Sequence, residues 1–141
     1  MTFKTLTASV LAGFFLSVIP TFAHHSIAGT YDPKQPITIQ GVVVSLQYMN
    51  PHTYVEVDAK AGGQVSRWRI EVAGASVLAG RGWNKDTVKT GDVVSVSGYR
   101  AKDETHVAVA GRFLLTDGRE LEAWPSGTMW LNATEAEFSS K

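Results

Sequence analysis

The chain has 141 residues, a length for one domain or two at most. Thirteen Lys and Arg balance thirteen Asp and Glu, so the formal charge is zero and the basic footprint that nucleic-acid binders use against phosphates is missing. With no Cys, disulfide scaffolds, thiolate metal sites and Cys nucleophiles are excluded, and 44% hydrophobic against 18% charged residues describes a globular chain rather than a disordered one.

The first elements concern export. Lys4 gives a positive start, and Leu6 to Ile19 is an apolar run interrupted only by Thr7, Ser9, Gly13 and Ser17. Pro20 breaks it before Thr21-Phe22-Ala23, a small-residue processing pattern. Residues 1–23 therefore read as a secretory signal peptide cleaved after Ala23. The alternative is an uncleaved anchor, but the run is shorter than the roughly 20 apolar residues that span a bilayer. No second stretch approaches that length, so no stable membrane insertion is expected after cleavage. The mature chain then starts at His24, and the loss of Lys4 leaves twelve basic against thirteen acidic residues, a charge of −1. An exported, Cys-free chain of bacterial type is expected in the periplasm.

His24 to Pro36 reads as an irregular N-terminal arm, held extended by Tyr31-Asp32-Pro33 and Gln35-Pro36. Ile37 to Tyr48 is a long predicted strand whose apolar phase changes, and Gly41 marks a bulge or sharp bend at the change. Asn50-Pro51 is a turn, and a strand follows from about His52 to Ala59 with Thr53, Val55 and Val57 on one face. Gly62-Gly63 makes a hairpin into Val65 to Val72, where Ser66, Trp68, Ile70 and Val72 point inward and Arg67, Arg69 and Glu71 outward. A short helix fits Ala75 to Arg81, capped by Gly82. Strands follow at Asp92 to Tyr99 and Ala108 to Leu115. Asp117-Gly118 predicts a type I′-style hairpin into a short return, Arg119 to Leu121.

From Glu122 onward the pattern is lost, and residues 122–141 read as a tail that lies on the domain or frays. Five strands with one short helix between the third and fourth give the order of an OB-fold, a small five-stranded barrel covering residues 37–121. The alternative is another small β-barrel or sandwich.

Several stretches together resemble a known family. They are Ala23-His24-His25-Ser26, Gly41 in a Val-rich strand, Asn50-Pro51-His52, Arg81-Gly82-Trp83, Thr90-Gly91-Asp92-Val93-Val94 and Gly98-Tyr99-Arg100-Ala101-Lys102-Asp103. The family is a set of small exported bacterial proteins catalogued as a domain of unknown function, and the resemblance runs from His24 to Leu121. It implies a periplasmic, OB-like domain without known catalysis, and it carries over no ligand.

Chemistry concentrates at the processed terminus. Cleavage would expose the α-amine of His24, followed at once by His25. A terminal His chelates a metal through its amine and ring, and a second-position His chelates through amine, amide nitrogen and ring. Both sets suit Cu(II), which prefers square nitrogen ligation, so copper or another divalent metal is the expected ligand there. The bland alternative is a polar, easily processed segment. His52, after the Asn-Pro turn and close to the thioether of Met49, could add a ligand, or its ring could simply cap a backbone carbonyl. His106 reads as a solvated loop residue.

No hydrolase set, acid–base pair or phosphate loop is visible, so no enzyme is predicted. A second candidate surface is the outer sheet face, where Tyr54 with Arg67 and Arg69 could contact an envelope protein, peptide or glycan. The alternative is that these residues only cover the barrel.

Overall fold

The computed structural model describes residues 27–124. The predicted signal peptide, His24, His25 and the predicted tail from residue 125 onward lie outside the described residues.

One helical turn, α1 (Ile27–Thr30), leads into β1 (Tyr31–Gln47), then β2 (Thr53–Ala61), β3 (Gln64–Val72), α2 (Ala75–Ala79), β4 (Val93–Ala101), β5 (Val107–Leu115) and β6 (Glu120–Glu122). β1 is long enough to serve two neighbours. Its first part pairs antiparallel with β4, and its last part with β2. The antiparallel ladders β2–β3 and β4–β5 and a parallel β3–β5 contact then close the ring β1-β2-β3-β5-β4. This is the OB-like barrel, all-β apart from its short helices, with α2 in the expected slot between β3 and β4. No helix among the described residues is long and apolar enough to cross a membrane.

The interior follows from period-2 alternation. Thr53, Val55 and Val57 of β2 and Trp68, Ile70 and Val72 of β3 are buried, as the alternation predicts, and they pack with Ile39, Val43, Val96 and Phe113. The hairpin at Gly62-Gly63 has φ of 58° and 84°, a backbone that favours glycine. At the end of α2 the amide of Gly82 bonds to the Ala79 carbonyl at 3.2 Å and that of Trp83 to Leu78 at 3.1 Å. Together with a φ of 83° at Gly82, these bonds form the glycine-terminated cap expected for this helix. The regular turn itself stops at Ala79, short of the Arg81 boundary.

Four expectations need correction. First, the change of phase in β1 is not at Gly41. Val43 keeps the inward phase of Ile39, and the extra residue falls between Val43 and Ser45 in the ladder with β2. Gly41 is there for a different reason: a Cβ at this position would collide with the Asp58 carbonyl and Val57 of β2. Second, Asp117-Gly118 is not a type I′ turn, because only Gly118 has positive φ (86°). Its amide bonds to Leu115 at 3.0 Å, giving a type I turn followed by a left-handed glycine.

Third, the arm does not run to Pro36. β1 starts at Tyr31, which pairs with Ala101, while Asp32–Gln35 step out of the ladder around an Asx-type bond from the Lys34 amide to Asp32 at 2.9 Å. Fourth, the barrel does not end at Leu121. Glu122 pairs with Arg112, and Ala123 is fully buried. The Ala123 amide donates to Gly111 at 2.9 Å, and its carbonyl accepts from Ala73 at 3.0 Å. The segment thus fills the seam where β3 and β5 diverge. Trp83 secures it from the helix side by donating its indole N–H to the Glu122 carbonyl at 2.8 Å.

Candidate functional site

The loop between β1 and β2, residues 48–52, is pinned by polar bonds to α2. Met49 accepts the Ala75 amide through its carbonyl at 3.0 Å, and Asn50 Oδ1 accepts the amide and hydroxyl of Ser76, both at 3.1 Å. The Tyr48 hydroxyl lies between the carbonyls of Ala75 and Trp83 at 2.9 and 3.1 Å. Thr53, fully buried, closes the loop on itself by donating its hydroxyl to the Met49 carbonyl at 3.2 Å. His52 is the last residue of this fixed loop, and Asn50-Pro51 before it is a cis peptide.

His52 does not cap a backbone carbonyl. Its Nδ1 sits 2.8 Å from Glu71 Oε1 on β3, and the other oxygen of Glu71 accepts the Tyr31 hydroxyl at 2.6 Å. The three side chains come from the loop, β3 and the start of β1. Trp124 flanks the imidazole edge-on at 5.9 Å and 71°. His52 is 27% exposed and Glu71 14%, so the imidazole is reached from solvent while the carboxylate behind it is shielded. Burial pushes the Tyr31 phenol above its ordinary pKa, and the Glu71 carboxylate it bonds pushes it the same way. Tyr31 therefore keeps its proton and donates it.

Beneath this relay is a second apolar cluster on the outside of the barrel. Tyr31, Tyr99, Ala101 and Val109 are buried there, and Ile27, Val107 and Trp124 pack against them. Ile27 is the first described residue. The arm is thus tied to the same cluster that supports Trp124, and Trp124 touches His52.

The residues of the other predicted surface share the outer face of β2 and β3. Arg69 lies over the Tyr54 ring at 4.1 Å. Glu56, which faces Arg69 across the ladder, instead accepts the Ser45 hydroxyl at 3.1 Å. Arg67 is engaged by Asp58 through two bonds of 2.8 and 2.9 Å. That fork lowers the Asp58 pKa and raises that of Arg67. Tyr54 and Arg69 are therefore in contact, whereas Arg67 is committed to a partner further along the strand.

His106 is exposed, as its loop suggests, but its ring packs edge-on against Trp68 at 5.0 Å. Met49 is 49% exposed. Among the described residues no three His, Cys, Asp or Glu side chains gather as a metal-binding set. A metal at His52 would need further ligands from outside residues 27–124.

Sequence reasoning missed Glu71, Tyr31 and Trp124. Glu71 alternates like any solvated strand residue, and its role depends on the loop that folds beside it. An aromatic at the start of an otherwise polar arm, and another just after the return strand, were the available signals for Tyr31 and Trp124.

Comparison with known proteins adds two findings. A family model described as a family of unknown function (DUF6152) matches residues 14–110. Among solved structures, the chain is similar to the mitochondrial single-stranded DNA binding protein Rim1 of S. cerevisiae. The identity is 16%, the match covers 58% of this chain and 94% of that one, and the TM-score is 0.45. No curated protein matches.

Proposed function

This chain belongs to the family of unknown function DUF6152, and from its own residues we propose that it is an exported, non-enzymatic OB-like domain that binds copper at its processed N-terminus, with His52 as the barrel's ligand. One observation carries the reading: Ile27 and Trp124 pack on one cluster, and Trp124 touches His52. His25 precedes Ile27 by two residues and His24 by three. At roughly 3.3–3.6 Å per residue, both are within reach of a surface beside Ile27.

The chemistry of the donor set fits. After cleavage at Ala23, His24 would offer its α-amine and ring, His25 a second imidazole, and His52 a third. Amine and imidazole titrate near pH 8 and 6.5, so protons compete only modestly with copper at neutral pH. The carboxylate of Glu71 behind His52 adds negative charge where a cation would sit.

Copper titration tests the reading. The protein starting at His24 is compared with one carrying an extra residue before it, and with His52→Ala. Affinity is expected to fall in both variants. Equal affinity in the extended protein would remove the amine from the site, and equal affinity in His52→Ala would remove the barrel.

A second reading is favoured by the Tyr54–Arg69 stack, a guanidinium on an aromatic ring suited to an envelope protein, peptide or glycan. Recovery of a partner from envelope extract that ignores chelator but is lost in Tyr54→Ala and Arg69→Ala would support it over copper.

A further inference from the structure

We infer, building on the second reading above, that Arg69, held over the Tyr54 ring on the outer face of the barrel, anchors a single carboxylate on a docking peptide or protein segment. All six arginines of the chain are among the described residues, and five of them give their guanidinium to an oxygen of the chain itself. Arg67, Arg81, Arg112 and Arg119 pair with Asp58, Glu122, Glu120 and Asp117, and Arg100 donates to the Glu104 carbonyl. Arg69 does not. Its exposed guanidinium sits 4.1 Å from the centre of the Tyr54 ring, and among the described residues it has no hydrogen-bond or ion-pair partner.

Acids are nevertheless close. Glu56 faces Arg69 directly across the ladder, and Glu71 lies two residues further along β3 on the same face. Opposite charges placed like this ordinarily pair. Here both carboxylates are engaged elsewhere. Glu56 accepts the Ser45 hydroxyl at 3.1 Å, on the β1 side, and Glu71 accepts the Tyr31 hydroxyl at 2.6 Å and lies 2.8 Å from His52. Asp58 is taken by both bonds of Arg67. The backbone of Arg69 is fixed between two strands, opposite Glu56 of β2 and Val107 of β5, and its amide donates to the His106 carbonyl at 2.9 Å. Sheet and ring therefore place the charge, and its N–H donors are left for an outside acceptor. A cation placed in advance loses less freedom on binding than a free one.

The surroundings select the ligand. A guanidinium fork matches carboxylate and phosphate alike. Glu56 and Glu71, one on each side, repel a doubly charged phosphate or a run of acids more than they repel a lone carboxylate. A sugar acid would seek an aromatic face to stack on, but Tyr54 is half-buried and Arg69 itself covers the ring. An isolated Asp or Glu side chain, or a C-terminal carboxylate, on a peptide meets both limits.

The test is an NMR titration of the folded protein with the blocked tripeptide acetyl-Gly-Glu-Gly-amide, read at the Arg69 Nε–H and the Tyr54 ring protons. Its glutaminyl twin, inorganic phosphate and methyl glucuronide are titrated beside it. The glutamyl peptide is expected to saturate the Arg69 signal at least about tenfold more tightly than the twin, the factor that one charge-assisted hydrogen bond supplies. Arg69→Ala should abolish saturation at the Tyr54 ring. Arg69→Lys, which keeps the charge without the fork, should weaken binding about tenfold. Arg67→Ala should leave it unchanged. Equal binding of the two peptides, tighter binding of phosphate or glucuronide, or full affinity in Arg69→Lys overturns the inference. If an envelope partner is lost in Tyr54→Ala and Arg69→Ala while the glutamyl peptide does not bind, the docking face stands and its carboxylate ligand is wrong. If the peptide binds but no partner depends on these two residues, the carboxylate site stands and the docking reading fails.

Discussion

The barrel has two apolar clusters, and they are built differently. The interior is built mainly by strands, with Leu78 of α2 and Trp83 and Val88 after it: Val55, Val57, Ile70, Val72 and Phe113 are fully buried and interlock without a buried charge. The outer cluster of Tyr31, Tyr99, Ala101 and Val109 is closed by segments at the two ends of the described chain, Ile27 on one side and Trp124 on the other. It also adjoins a carboxylate, which the interior does not. The outer cluster assembles an imidazole, a carboxylate and a phenol at one edge, and that is where ligand chemistry is expected.

The sharpest way to separate the clusters is to damage one and follow the other. Phe113→Ala removes a ring that packs edge-on with Trp83 at 5.6 Å in the interior. A loss of about 3–5 kcal/mol in urea denaturation is expected. Copper affinity of the folded fraction should stay unchanged. A changed affinity would mean that the two regions are not separable.

Tyr31→Phe is expected to be milder, because it keeps the ring and deletes only the hydroxyl. Leaving Glu71 short of one donor should cost about 1–3 kcal/mol. Its pH signature is more telling. The folded chain holds the Tyr31 proton to higher pH than the unfolded chain does, since burial and Glu71 raise its pKa. The stability due to that group is complete below the ordinary tyrosine value, about 10, and is lost as pH rises beyond it. Urea midpoints measured from pH 9 to 11 should therefore fall more steeply in the wild type than in Tyr31→Phe. Parallel curves would show that Tyr31 is not held as described.

Arg67→Ala is the smallest change. The pair with Asp58 is bidentate but exposed, and solvent and salt screen it. The urea midpoint should stay within error of the wild type. A large drop would mean that the outer face of β2 and β3 contributes more to the fold than either cluster explains.

What could be read from the residues follows the same division. The interior is legible because alternation over β2 and β3 has a single explanation, a sheet with one buried face, and Gly62-Gly63 and Gly82 punctuate it. The outer cluster is not legible in the same way. Val109 and Tyr99 sit in ordinary strands, and what buries them comes from segments remote in sequence. Gly41 shows the limit of a local argument: the residue is needed, but for the close approach of β2 rather than for the bulge nearby. His52 was legible as a candidate from its turn, whereas its partner Glu71 was not, because only the closed barrel brings loop and strand together.

An N-terminal His-His segment chelates copper in any peptide, so the central claim is that the barrel improves on it. The direct test is the Cu(II) affinity of the folded chain starting at His24 against that of a free peptide of residues 24–29. The account predicts at least a tenfold tighter site in the protein, about 1.4 kcal/mol, from the third imidazole at His52. Equal affinity of protein and peptide would contradict it.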